Sequence, residues 1–331
     1  MAKVLLLSQA EEDPSDDSFF RGACTRLRQS YELGKSHHTV VDDPAEADLI
    51  LFAEIRLLFA YNIRHHEYYK PFRDKVFAYS VDDNIIPMVP GVYASLEKSW
   101  YAPRRSRAGF YLSILENPHI DFDPAPVERD LLYSFVGSVR TCPTRALLAK
   151  IEHPRGLFID TSKESLPILS GGTSAQRSVF WKKYADIGRR SKFVLCPRGA
   201  GTSSIRLFEM MQMGRAPVIL ADEWVSPSGP NWDQFSIRIP ESEAMNVPKI
   251  LEERESEAVE LGLKARQEWE RWFAPDVVFD TVVDWCLEIK ASRGLPEFFS
   301  RMTVYPQILR PHFLRAFIRF YKTLILEGRS V

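Results

Sequence analysis

The stretch FVLCPRGAGTSSIRLFEMMQMGRAPVILADE, Phe193 to Glu223, decides the fold. A short apolar run meets a turn of Pro-Arg-Gly-Ala-Gly. A segment apolar nearly all round follows, broken only by Arg206 and Glu209, and then the apolar APVIL and an acid, Asp222. Apolar runs of strand length separated by helical segments predict a parallel sheet covered on both faces. A glycine turn between strand and helix is either a tight connection, with glycines where φ is positive, or an anion cradle fed by helix amides. Two features favour the cradle. Arg198 sits inside the turn, where connection needs no charge, and Ser203 and Ser204 are placed to cap the helix.

Arg206 and Glu209 lie three apart and so share one face near the helix start. A helix apolar all round is expected to be buried, and buried charges must be paired or bound to a ligand. One reading is a structural salt bridge. The other is a carboxylate accepting both hydroxyls of a nucleotide ribose, with an arginine at the diphosphate. A dinucleotide fingerprint competes: Gly199 and Gly201 have G-x-G spacing, and Asp222 or Glu223 follows where a ribose-binding acid would lie. Its third glycine is Ser204, and the large side chains Ile205, Leu207, Phe208, Met210 and Met211 do not suit its close helix packing.

Outward from this stretch the same alternation repeats. KVLLLS, HHTVVDD, ADLILFAEI and KVFAYSVDD read as strands, with a helix in SFFRGACTRLRQSYELG stopped by Gly34. Irregular, proline-bearing chain follows from Ile86 to about Pro126, a length that marks functional loops or linkers. The alternation restarts at RDLLYSFVGSVRTCPTRALLAKIE and ends in WDQFSIRIP and the helical VPKILEERESEAVELGLKARQEWERWF. The reading is an α/β protein of two Rossmann-like domains, 1–126 and 127–290, with a helical tail over 291–331 expected to pack back on the first domain. Ligands of such sheets sit beyond the strand carboxyl ends, so the turns after Val136, Val194 and Asp222 are expected to face a cleft between the domains.

The bulk numbers bound the function. Two domains of about 150 residues suit the 331-residue chain. A net charge of −1 gives no argument for nucleic acid. The four cysteines are scattered without metal-ligand spacing and read as reduced thiols. MAKVLLLSQAEEDPSDD turns acidic after a few apolar residues, so it reads as a first strand, and a cytoplasmic location is expected. The tail, Gln307 to Arg329, is basic and apolar (Arg310, Arg315, Arg319, Lys322). It reads as a packing helix, with peripheral contact to an anionic membrane as the alternative.

SKFVLCPRGAGTSSIRLFEMMQMGRAPVILADEWVSP resembles the conserved segment of exostosin-like glycosyltransferases, through Pro197, Arg198, Gly199, Arg206, Leu207, Glu209, Gly214, Pro217, Val218, Ile219 and Asp222. YSFVGSVRTCPTRALL resembles the family's entry to the donor domain, and the likeness spans about Arg129 to Glu243. Arg215-Ala216 departs from it, since a Cys or similar small residue commonly precedes Pro-Val. The resemblance implies a GT-B fold, a nucleotide-diphospho-sugar donor with UDP the expected nucleotide, a glycan or glycolipid acceptor, inversion, and no metal or other cofactor. It puts Glu209 on donor ribose or sugar hydroxyls, and Arg198 and Arg206 at the diphosphate, supported by the Gly199–Gly201 amides. Arg140 and Arg145, beyond the Gly137-Ser138 turn, are further phosphate candidates.

Inverting transfer needs a base for the acceptor hydroxyl and positive charge for the leaving diphosphate. Asp82 and Asp83 follow VFAYS at a strand end and Glu54 follows LILFA in the same way; these three are the base candidates. His65 and His66 read as surface residues. The basic, aromatic-flanked RRSR (Arg104 to Arg107) reads as a solvated loop or an acceptor-binding one. Two rival functions remain at this point: a nucleotide-dependent (NAD(P)) oxidoreductase, and a non-catalytic sugar- or nucleotide-binding module.

Overall fold

A computed structural model describes residues 1–8, 22–54, 63–83, 86–112, 117–124 and 128–300, with single residues 302, 318, 321, 322 and 325. The chain divides into two compact units, Met1–Ile114 with Val225–Ser228 and Pro275–Val331, and Leu115–Trp224 with Gly229–Ala274. Each carries one sheet, and every strand pairing among the described residues is parallel. The α/β class with two Rossmann-like sheets, the GT-B type of architecture, is what the sequence predicts.

The first unit holds β1 (Lys3–Leu7), helix α1 (Ala23–Glu32), β2 (Thr39–Val40), β3 (Leu49–Glu54), β4 (Val76–Ser80), β5 (Gly91–Tyr93) and β6 (Ser106–Ala108), in the order β2-β1-β3-β4-β5-β6. Gly34 ends α1 with φ of 73°, a conformation a side chain would strain. Leu5, Ile50, Phe52, Val76 and Ala78 pack one face with Tyr93 and Trp100. β5 and β6 lie inside the stretch expected to be irregular. Each is only three residues long, and Gly91 lets β5 in, since a Cβ there would fall 1.9 Å from the Ala78 carbonyl oxygen.

The second unit holds β7 (Leu131–Gly137), α2 (Pro143–Leu148), β8 (Gly156–Asp160), α3 (Ser165–Gly171), α4 (Ser174–Arg190), β9 (Ser191–Pro197), α5 (Ile205–Gln212), β10 (Ala216–Leu220), β11 (Ile237–Arg238), α6 (Val247–Glu253) and α7 (Ala258–Trp272). Its order is β11-β10-β9-β7-β8. Phe135, Phe193, Leu195, Val218 and Leu220 pack one face against Val247, Leu251 and Leu261, and Val194 packs the other against Ala185, Met210 and Met213. The long helix expected after β11 is broken at Arg254–Glu257, where Glu255 turns aside to pair with Arg155 and Lys192.

Residues 117–124 group with the second unit because side chains strap them to it. Asn117 Nδ2 donates to the Trp181 carbonyl at 3.1 Å, and Gln212 Nε2 to the Ile120 carbonyl at 3.1 Å. The chain rejoins the first unit at Pro275 through α8 (Val278–Ser292) and α9 (Glu297–Ser300). Arg105 there makes a buried bidentate pair with Glu297 at 2.8 and 3.0 Å, and Arg107 pairs with Glu288 at 3.4 Å. Two arginines of RRSR, Arg105 and Arg107, are therefore tied into the first unit, while Arg104 is exposed. The Gln307–Arg329 tail lies outside the described residues apart from Ile318, Tyr321, Lys322 and Ile325. Among the described residues no helix is long and apolar enough to cross a membrane.

Candidate functional site

In the second unit the chain leaves β7 towards β8 on one side and later builds β9, β10 and β11 on the other. The carboxyl ends of β7 and β9 therefore flank the point where strand order reverses, the favoured ligand crevice of an open parallel sheet. Two guanidiniums are fastened there. Arg145, at the start of α2, donates from Nη1 to the Ser138 carbonyl at 3.1 Å and from Nη2 to the Pro197 carbonyl at 3.0 Å, bridging the two strand ends. Arg206, on α5, donates from Nη2 to the Val136 carbonyl, while its Nε is buried without a hydrogen-bond partner. Both are buried, and both lie over the Phe135 ring, at 5.3 and 4.4 Å from its centroid. The ring's negative face eases the approach of two like charges.

Gly137 serves this approach through space, not torsion. A Cβ there would fall 2.5 Å from Arg206 Nη2 and 2.9 Å from Phe135 Cζ. Gly199 and Gly201 are not among the glycines with positive φ, so the turn does not use them as the tight-connection reading requires. A Cβ on Gly199 would stand 3.4 Å from Arg145 Nη2, in contact with the same cluster. Ser204 occupies the N-cap of α5 without a side-chain capping bond, and Ser203 is buried; the expected caps are positional only.

Arg206 and Glu209 take different partners. Glu209 accepts the Tyr184 hydroxyl at 2.5 Å, and the Arg206 guanidinium lies 6.0 Å from the Tyr184 ring centroid. Burial, and then the Glu209 charge, raise the Tyr184 phenol well above its ordinary range, so it stays a donor at any physiological pH. Burial likewise pushes the Cys196 thiol, beneath the cluster, up to about 12, which keeps it protonated. Tyr184 escapes sequence reasoning because nothing in the α4 pattern distinguishes it from a packing aromatic.

Arg198 stands apart from this pair. Its Nε lies 3.0 and 3.2 Å from the two carboxylate oxygens of Glu241. Asp222 is exposed. Its carboxylate accepts the Glu241 backbone N–H at 3.1 Å and its own N–H donates to Glu241 Oε1 at 3.2 Å, so the structure shows Asp222 tying two turns together. Glu241 was missed; the signal was an acid just past a strand end, in RIPESE. Arg140 is exposed on the short turn after Gly137, outside the buried pair.

In the first unit, Asp83 Oδ1 accepts the Tyr111 hydroxyl at 2.5 Å and the Ser95 hydroxyl at 3.3 Å. The Asp82 N–H points to the Ser80 hydroxyl at 3.4 Å. Glu54 ends β3, in register with Ser80, and its side chain lies outside the described residues. His66 is not the surface residue expected: its ring packs on Phe52, and burial lowers its pKa. Elsewhere in this unit His37, His38 and Asp284 bring ligand atoms together. His38 Nδ1 accepts the Ala2 N–H at 3.1 Å, so its Nε2 carries the proton it donates to Asp284 at 3.0 Å and offers no lone pair.

The second unit is thus a parallel α/β unit with two arginines fixed at its switch point, where open sheets of this kind receive ligands. Residues 97–254 match the model of the Exostosin GT47 domain. It is 31% identical over 130 residues to a probable glycosyltransferase of Arabidopsis thaliana, covering 39% of this chain and 22% of that one. To Exostosin-1 of Drosophila melanogaster it is 34% identical over 103 residues, 30% of this chain and 14% of that one. The chain thus spans under a quarter of these relatives' lengths. Solved structures similar to it include Acinetobacter baumannii MurG (TM-score 0.38, 11% identity, 86% of this chain and 100% of that one). Anabaena HepE in complex with UDP is another (TM-score 0.38, 8% identity, 87% and 100%).

Proposed function

We propose that this chain transfers a sugar from a nucleoside-diphosphate donor, UDP-linked by preference, to a glycan or lipid-linked glycan in the synthesis of cell-surface polysaccharide. The observation that carries the reading is the buried Arg206, whose Nε has no partner, set beside Arg145 on one aromatic face at the β7/β9 switch point. Buried guanidinium donors call for an anion, and a diphosphate supplies paired oxygens. Glu209, held by Tyr184, is suited to accept ribose or sugar hydroxyls, and Arg198 extends the cationic surface towards Glu241.

In the reaction, a first-unit carboxylate, Asp83, Asp82 or Glu54, takes the acceptor hydroxyl's proton. That oxygen attacks the anomeric carbon from the face opposite the diphosphate, inverting the centre. The arginines stabilise the charge gathering on the departing diphosphate without a metal. Asp83 is held in place through the Tyr111 and Ser95 hydroxyls. A cytoplasmic location, with peripheral membrane contact through the basic tail, goes with this reading.

A thermal-shift panel of UDP, GDP, UDP-sugars and NAD(P) tests it. UDP and UDP-sugars should raise the melting temperature, by about 2.7 kcal/mol of stabilisation at a hundredfold excess over Kd. Stabilisation by NAD(P) alone would overturn the reading.

A further inference from the structure

Glu241 opens a 3₁₀ stretch, Glu241–Asn246, just past β11. Its half-buried carboxylate draws in groups that follow three other strands. After β9 comes Arg198 Nε, at 3.0 and 3.2 Å; after β10 comes the Asp222 N–H, at 3.2 Å; after β7 comes the Thr144 hydroxyl. Each of these groups donates to it. A carboxylate presents only acceptors and sets a full charge against the guanidinium, whereas an amide that keeps its oxygen on Arg198 and the Asp222 N–H loses that charge and reverses the Thr144 hydrogen bond.

Arg198 is bound through Nε alone, and its two Nη groups make no hydrogen bond to the described residues. An arginine in a short turn has many rotamers, and fixing one before a ligand arrives removes an ordering cost from binding.

We propose that Glu241 is a positioning residue: it holds Arg198 by Nε so that the paired Nη donors stand ready for a diphosphate. The inference rests on the nucleoside-diphosphate reading above and adds to it a residue that does not itself touch the ligand. The opposite outcome is physically distinct, since a carboxylate this close to an arginine can also compete with an anion for it.

Calorimetric titration of UDP and of inorganic pyrophosphate into wild type, Glu241→Gln, Arg198→Ala and the double variant decides. Glu241→Gln should weaken both ligands by about ten- to a hundredfold, and should add almost nothing in the Arg198→Ala background. Unchanged or tighter binding by Glu241→Gln, or losses that add, would overturn the proposal. If Glu241→Gln does not fold, Arg198→Lys asks the same question. It keeps a cation against Glu241 but lacks the fork, so affinity must fall as far as in Arg198→Ala, and retained affinity overturns the role. Wild type that binds neither ligand defeats the diphosphate reading itself; wild type that binds both, with Glu241→Gln equal to it, defeats only the role of Glu241.

Discussion

The two sheets reverse strand order at comparable places, between β1 and β3 in the first unit and between β7 and β9 in the second, yet their carboxyl ends are furnished oppositely. Beyond β7 and β9 lie Arg145, Arg206 and Arg198, two of them buried on one aromatic ring. Beyond β3 and β4 lie Glu54, Asp82 and Asp83, with Asp83 among hydroxyl donors. The comparison teaches that topology supplies the place and side chains supply the polarity. One end gathers guanidiniums, and the other gathers carboxylates.

The sharpest way to break this contrast is to remove one group from each end. Glu209→Ala should weaken UDP binding by at least about a hundredfold by calorimetry while the chain stays folded, because the proposed acceptor of the ribose hydroxyls is lost. Asp83→Asn, Asp82→Asn and Glu54→Gln should leave UDP affinity within about twofold, since none belongs to the second unit. Single-turnover transfer should instead fall by about 10² or more in the one that supplies the base. If all three keep near-wild-type rates, the first unit loses its assigned polarity.

An effect on stability sharpens what holds the cationic end in shape. Arg215 is 3% exposed, and its guanidinium donates to the carbonyls of Gly188, Arg189, Met213 and Gly214 at 3.1–3.3 Å. Burial pulls its pKa down to about 10, so it remains charged near neutrality. Replacing it with Ala leaves four helix-end carbonyls without these donors, and a loss of about 2–4 kcal/mol is expected in denaturant unfolding.

The smallest effect lies at the opposite end of the second sheet. Arg155 and Lys192 hold the Glu255 carboxyl at about 2, against 4.5 ordinarily. A depressed carboxyl contributes stability that is present above its unfolded pKa and lost as pH falls through the folded one. Wild type should therefore melt a few degrees above Glu255→Gln above about pH 4.5, with the gap closing between there and pH 2. Unchanged UDP affinity in Glu255→Gln would keep this pair apart from the ligand end.

Much of this was legible in the chain. The β9–α5–β10 reading came from apolar runs of strand length, and Arg206 and Glu209 stood out as charges in an apolar helix. β5 and β6 did not, because three residues give no periodicity and only neighbouring strands make them a sheet. The partners of the charges were hidden for a related reason. Tyr184 and Glu241 lie 25 and 43 residues from the groups they hold, and no local pattern records such distances. Arg215, noted only as a departure from the family's small residue, proved to join two helix ends.

That joint has a dynamic consequence. α4 carries Tyr184 and α5 carries Glu209, each about a turn back from the carbonyls that Arg215 gathers. Their last turns cannot fray independently without stripping the same guanidinium. Amide exchange at the two helix ends should accordingly follow one opening event, and the Tyr184–Glu209 spacing inherits its rigidity from a clasp that hydrogen-bonds to neither residue.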